Sequence, residues 1–215
     1  MPLESGVFVK LVELHPVNPQ PRAVQQVVEA LHGGAVIAYP TDSCYALGCH
    51  IGDKTAMDRI RRIRGFDKRH HFTLVCRDLA EIATYAKVDN RDYRMLKHAT
   101  PGPYTFVLPA TRIVPRRLQD ARRLTIGIRV PDHVIVQSIL EALGEPIMSC
   151  TLQLPGDDLP LTEPLEIEER LPHDIDILID GGHCGLEPTS VVDLSGAMPE
   201  VLRHGKGDLA ILGLD

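Results

Sequence analysis

The chain contains no tryptophan, and aromatic residues make up only 4% of its 215 positions, so its core must be aliphatic. No apolar run approaches the ~18–20 residues that a bilayer-spanning helix needs, which excludes a membrane partner of that kind. The opening residues, MPLESGVFVKLVELHP, carry Glu4, Lys10 and Glu13 and so lack the unbroken apolar stretch of a secretory signal; a cytoplasmic location is the expectation. Five cysteines (Cys44, Cys49, Cys76, Cys150, Cys184) form no C-x-x-C pair. An odd, scattered set excludes a disulfide framework and a structural zinc site. Cys44, Cys49 and His50 come nearest to a ligand group, but buried apolar thiols explain them better. None of the ten histidines falls in an H-E-x-x-H spacing, and no metal site is assigned. Neither standard phosphate-binding loop, G-x-G-x-x-G or G-x-x-x-x-G-K-[ST], is found. With no internal repeat and no Ser/Gly linker, residues 1–215 read as one domain.

What is there is an ordinary globular composition, 44% hydrophobic and 24% charged, with an uneven charge distribution. The net charge is −6, yet residues 59–71 hold six Lys/Arg against one acid and residues 112–123 hold five Arg against one. Two basic segments in an acidic chain can attract an anionic ligand locally; solvated arginine-rich faces are the plainer reading.

Pro21 followed by Val24, Val27, Val28 and Leu31 at helical spacing, closed by Gly33-Gly34, predicts a helix. Ala35 to Tyr39 is a continuous apolar run ended by Pro40 and predicts a buried strand. Helices are expected from about Lys54 to Arg64, from Leu79 to Ala86, from Asp89 as cap to His98, and from His133 to Leu143. Strands are expected at Phe72–Cys76, Tyr104–Leu108, Leu124–Val130, Ile147–Thr151, Ile175–Ile179, Ser190–Leu194 and Val201–His204. Helices separate some strands but not all, which predicts an α/β fold with a twisted mixed sheet and flanking helices.

The densest chemical signal is Pro40-Thr41-Asp42-Ser43-Cys44-Tyr45-Ala46-Leu47-Gly48, directly after the buried strand. Hydroxyls and a carboxylate at a strand's C-terminal end sit where open α/β sheets bind ligands; an Asx- or ST-turn closing on its own backbone is the alternative. This segment resembles the signature of the YrdC-like family. Gly127-Ile128-Arg129-Val130-Pro131-Asp132-His133 resembles its Arg-x-Pro block, Pro188-Thr189-Ser190-Val191-Val192-Asp193 its Pro-Ser/Thr-Ser/Thr-Val-Val-Asp block, and Arg203-His204-Gly205 its terminal Arg-x-Gly. The resemblance spans roughly Pro21 to Gly207. Two motifs depart from it: the family's Lys-x-Arg is Arg64-Gly65-Phe66 here, and its Ser-x-Asn is Thr151-Leu152-Gln153. These departures resemble the YciO-like branch.

The resemblance implies a sheet and helices enclosing a basic concave cavity. It also implies L-threonylcarbamoyladenylate synthesis, in which threonine, bicarbonate and ATP give threonylcarbamoyl-AMP and pyrophosphate for tRNA modification. Longer family members append a second domain, and none is expected here. The altered motifs would weaken the activity. By the same resemblance, Thr41, Tyr45 and Arg129 would face the threonine-carbamate end. Arg64, Thr151, Gln153, Ser190 and Arg203 would face ATP, with Lys68, Arg69 and His70 supplying charge lost at Phe66 and Mg²⁺ arriving with the triphosphate. No side chain is expected to act as a nucleophile. The competing expectation is a non-catalytic binder of duplex RNA or nucleotide, using the same basic cavity and Arg59, Arg61, Arg62, Arg116, Arg117, Arg122 and Arg123; RNA or tRNA-modification proteins are the expected macromolecular partners.

Overall fold

The structure, a computed structural model, describes residues 8–66, 72–120 and 122–214. Its elements are β1 (Lys10–Glu13), α1 (Pro21–His32), β2 (Ile37–Tyr39), β3 (Ala46–His50), α2 (Lys54–Arg64), β4 (Thr73–Val75), α3 (Leu79–Tyr85), α4 (Asn90–Ala99), β5 (Tyr104–Pro109), β6 (Thr125–Arg129), α5 (Val134–Leu143), β7 (Ile147–Thr151), α6 (Pro164–Arg170), β8 (Ile177–Asp180), β9 (Ser190–Asp193) and β10 (Glu200–Arg203). Single 3-10 turns occur at Arg116–Leu118 and Ala210–Leu212.

Local chemistry accounts for the helix ends. α1 starts on Pro21 and buries Val24, Val27, Val28 and Leu31 as one stripe. Asp53 caps α2 by accepting the Ala56 backbone N–H (2.9 Å), and Gly65 ends it in the left-handed region with φ 62°. Asp89 caps α4 in the same way through the Asp92 N–H (2.8 Å).

The ten strands of the described residues form one open mixed sheet in the order β1-β8-β2-β3-β7-β4-β6-β5-β9-β10. β1, β8 and β2 are parallel; β3 and β7 run antiparallel to their neighbours; β4–β6 and β5–β9 are parallel pairs joined by the antiparallel β5–β6 ladder. The expected twisted mixed sheet with flanking helices is thus observed. β1, β3 and α6 are additions to the expected set.

The two faces are covered differently. One packs Leu47, Leu74, Phe106, Ile126, Ile128, Met148 and Val192 against Met57 and Ile60 of α2, Ile82 of α3, Leu96 of α4 and Ile167 of α6. On the other face, α1 and α5 cover Val12, Leu14, Ile37, Tyr39, Ala46, Val75, Ile147, Ile177 and Ile179. Strand alternation puts Ser149 and Thr151 on that second face beyond Ile147, and Thr73 beyond Val75. Gly127, Thr125, Thr105, Val107, Val191 and Asp193 continue it across β6, β5 and β9. This part of the sheet carries no helix and forms the floor of a cleft.

Gly48 sits under the covered part. A Cβ there would lie 2.7 Å from Ile147 Cγ2 and 2.8 Å from Tyr39 Cε1, both in buried side chains. Gly48→Ala should therefore overpack this core and lower the unfolding free energy by about 1–3 kcal/mol, read as a lower urea midpoint at unchanged slope.

Candidate functional site

The cleft has a volume of about 540 Å³. Its floor is the hydroxyl- and glycine-bearing half of the sheet, and its walls come from the 43–46 segment, the C-terminus of α2, the 151–160 loop and the 186–189 segment.

The segment after β2 forms one wall as a closed turn. Thr41 is buried; its hydroxyl donates to the Cys44 carbonyl (2.7 Å) and accepts the Ser43 N–H (3.1 Å). Its backbone carbonyl accepts the Cys184 thiol (3.6 Å). The Tyr45 hydroxyl donates to the Gly182 carbonyl (2.8 Å), tying the turn to the loop after β8. Asp42 reaches outward to pair with Arg129 at the end of β6, and both side chains are about nine-tenths buried. The second Asp42 oxygen accepts the Asp132 N–H (2.9 Å), Arg129 Nη1 donates to Ser43 Oγ (3.3 Å), and Lys206 Nζ donates to the Asp42 carbonyl. Arg129 Nε is buried with no hydrogen-bond partner among the described residues.

Across the cleft, an irregularity in the β9–β10 ladder between Val201 and Arg203 redirects Arg203. Its Nε donates to the Thr189 carbonyl (2.9 Å) and its Nη2 to Thr189 Oγ1 (3.0 Å), and Thr189 in turn contacts the Thr105 hydroxyl (2.9 Å). Gly205 must be small, since a Cβ would stand 2.4 Å from the Pro188 carbonyl oxygen and 2.6 Å from Thr189 backbone atoms. The third wall holds Arg64, Phe66, Cys150, Thr151 and Gln153. The Arg64 guanidinium stacks 4.5 Å over the Phe66 ring and bonds Cys150, and its Nε is buried without a partner among the described residues. The Gln153 amide donates to the Asp157 carbonyl (2.8 Å).

Thus Tyr45, Arg64, Arg129, Thr151, Gln153 and Arg203, drawn from separate sequence blocks, share one cleft. Thr41 and Ser190 do not line it. Ser190 is fully buried, donates to the Gly207 carbonyl (2.6 Å) and accepts the Gly205 N–H (3.0 Å), so both hydroxyls fix the backbone on which their neighbours stand. Lys68, Arg69 and His70 lie outside the described residues.

The arginines expected to serve the basic cavity do not turn into it together. Of the described arginines in the two basic segments, only Arg64 and Arg123 line the cleft. Arg59 is claimed by Asp176 (2.7 Å), Arg61 pairs with Asp58 (3.1 Å) and stacks on Phe72, and Arg62 is exposed on α2. Arg117 donates to the Gly52 carbonyl, Arg122 is exposed, and Arg116 lines a separate hollow. Helical periodicity scatters neighbouring cations that a count along the chain adds together. Residues not singled out beforehand, among them Thr73, Thr105, Thr125 and Ser149, make much of the floor; their signal was the alternation of small polar with apolar residues within each strand.

The expected buried thiols are observed: Cys44, Cys49, Cys76 and Cys184 are buried and Cys150 is partly so. Burial pushes Cys44 and Cys184 up to about 11 and Cys150 up to about 12 from an ordinary value near 9. Because the folded protein holds these protons more tightly than the unfolded chain, their contribution is complete below about pH 9. It is lost as pH rises towards 11 and the unfolded thiols ionise first. The urea midpoint should accordingly fall between about pH 8.5 and 10.5, and Cys184→Ala should flatten that fall; an equal slope in the variant would contradict the assignment.

The Sua5/YciO/YrdC family model, described as "Telomere recombination", matches residues 29–205. The chain is 53% identical over 196 residues to the Escherichia coli protein YciO, covering 91% of this chain and 95% of that protein. The crystal structure of E. coli YciO superposes with a TM-score of 0.91 at 51% identity, covering 94% of this chain and 98% of that one. A threonylcarbamoyl-AMP synthase from Vibrio vulnificus is 31% identical over 161 residues, 74% of this chain and 86% of the relative. The crystal structure of Pyrococcus abyssi Sua5 complexed with L-threonine shares the fold, with a TM-score of 0.87 at 24% identity over 96% of this chain and 62% of that one. No described helix is long and apolar enough to cross a membrane. From the four sequence blocks, the cleft they build and these likenesses, the chain belongs to the Sua5/YciO/YrdC family.

Proposed function

We propose that the cleft binds ATP and L-threonine and carries out an attenuated L-threonylcarbamoyladenylate synthesis. The observation that carries this reading is that Arg64 and Arg129, from separate sequence blocks, line one cleft, and each keeps a buried Nε with no partner among the described residues. The guanidinium groups of these two arginines can meet an anionic ligand with charge-assisted hydrogen bonds. The 31% identity to a threonylcarbamoyl-AMP synthase supports the substrate class.

In this reading the threonine amine captures bicarbonate carbon with loss of water. A carbamate oxygen then attacks the α-phosphorus of ATP and pyrophosphate leaves. The protein's part is to align the reactants and neutralise charge. Mg²⁺ enters with ATP as part of the substrate, held by phosphate oxygens and water. Arg129 and Tyr45 would stand at the threonine-carbamate end, and Arg64, Thr151, Gln153 and Arg203 at the nucleotide.

Phe66 is the suspected weakness. Losing one hydrogen bond to a charged group lowers affinity or rate by roughly 10- to 150-fold. Calorimetry should give heat for ATP with Mg²⁺, increased by threonine with bicarbonate, and Phe66→Arg should raise pyrophosphate release about tenfold. Silence with every ligand combination removes the enzymatic reading.

A second reading, duplex RNA binding, is favoured by one observation: Lys87, Arg112 and Arg116 line a hollow of about 570 Å³ outside the cleft with no acidic residue in its lining. It predicts steeply salt-dependent binding of a short RNA duplex, with a shallower salt slope for Arg116→Ala combined with Arg117→Ala in a filter-binding titration.

A further inference from the structure

Arg123 occupies a turn built with unusual care. The Asp120 carboxylate accepts the backbone N–H groups of both Arg122 (2.9 Å) and Arg123 (2.5 Å), and the Leu124 N–H donates to the Asp120 carbonyl (2.9 Å). Leu124 takes φ 55°, the positive-φ non-glycine among the described residues, in a region that branched side chains disfavour. This turn throws the Arg123 side chain across to the end of β9, where Nη2 donates to Ser195 Oγ (2.7 Å) and Nη1 lies 2.7 Å from Asp193 Oδ2.

The two Asp193 oxygens differ. Oδ1 is firmly engaged, accepting the Ser195 N–H (2.8 Å) and the Ser195 hydroxyl (2.7 Å). Oδ2 is buried and receives no hydrogen bond of good geometry despite the nearby guanidinium. Its link to Arg123 is therefore a close ion pair outside good hydrogen-bond geometry, which anchors one side of the guanidinium. Asp193 is 1% exposed whereas the Arg123 side chain is 53% exposed, so the carboxylate is fixed and the cation is presented. Arg123 also lines both the cleft and the outer hollow that holds Lys87, Arg112 and Arg116, and so stands in the wall between them.

We propose that Arg123 is an anion-binding residue of the cleft, pre-aimed by Asp193 and Ser195 to take the distal phosphates of a polyphosphate ligand. The proposal rests on the reading that a nucleotide occupies the cleft, and names the residue that meets its far end. Arginine suits the task because its planar fork keeps further N–H donors available while one side is held. A strained, hydrogen-bonded turn fixes the donor in advance of the ligand.

The test is calorimetric titration of inorganic pyrophosphate and, separately, AMP, with Mg²⁺ present, and of a short RNA duplex as a third ligand. Arg123→Gln should weaken pyrophosphate about tenfold while AMP changes less than twofold. Asp193→Asn, which keeps the acceptor for Ser195 and removes the competing charge, should tighten pyrophosphate severalfold. Arg94→Gln, an exposed change on α4, should alter neither. Equal pyrophosphate affinity in wild type and Arg123→Gln overturns the proposal. So does loss of duplex binding alone, which would make Arg123 a nucleic-acid contact. Wild type that binds AMP but not pyrophosphate also overturns it, while leaving the nucleotide reading standing. Arg123-dependent pyrophosphate binding without any nucleotide binding does the reverse. Should Arg123→Gln melt well below wild type, Arg123→Lys decides: charge without the fork should lose part of the pyrophosphate affinity, and full retention counts against the proposal.

Discussion

Asp42 and Arg129 meet in the interior from positions 87 residues apart, each about nine-tenths buried. A pair so placed adds little net stability, because desolvation offsets most of the attraction; removing either partner, however, strands a buried charge at about 3–5 kcal/mol. The contribution is geometric. Asp42 holds the turn after β2, Arg129 closes β6, and the Asp132 N–H bound to the same carboxylate sets the entry to α5. One carboxylate thus fixes the half of the sheet that α1 and α5 cover to the half they leave open.

The open half persists because its residues gain nothing from a helix. Thr73, Thr105, Thr125, Ser149 and Gly127 offer hydroxyls or no side chain, and so give an apolar helix little apolar surface to bury. Leu74, Phe106, Ile126, Ile128 and Met148, one residue away in each strand, point to the opposite face and are buried there. The period of two along each strand therefore decides where the core stops and the cleft begins.

How much of this was legible depends on how local the cause is. α2 could be read closely, from Asp53 to Gly65, because its cap and its stop lie in its own residues. The motif residues on strand ends came together as their order implied, since neighbouring strands bring their ends side by side. β1 was not legible: it buries only Val12 and exists by pairing in parallel with β8, more than 160 residues away. β3 was hidden because its residues Ala46, Leu47 and Gly48 were already accounted for as a motif. α6, with Ile167 as its buried residue, carries too short an apolar stripe to announce itself. The basic segments misled because charge was summed along the chain while α2 turns its arginines in different directions. Arg59 meets Asp176, a partner 117 residues distant that no local pattern indicates.

The charge of the cleft now has a structural form. In a chain of net charge −6, Arg64, Arg123, Arg129 and Arg203 converge on one concavity that Asp120, Asp158 and Asp193 also line. Each is held from behind: Arg64 by Cys150 and the Phe66 ring, Arg123 by Asp193 and Ser195, Arg129 by Asp42 and Ser43, Arg203 by Thr189. Burial lowers the pKa of Arg64 and Arg203, but guanidinium stays charged at any physiological pH. Donors fixed in this way need little reorganisation when charge develops between them, which is where such sites derive most of their effect. The cleft thiol of Cys150, pushed up to about 12 by its burial, is protonated near neutral pH and poorly suited to attack. What the cleft offers a reaction is a set of oriented cations over a floor of hydroxyls, and that suits chemistry in which the ligands supply both nucleophile and leaving group and the protein holds them in line.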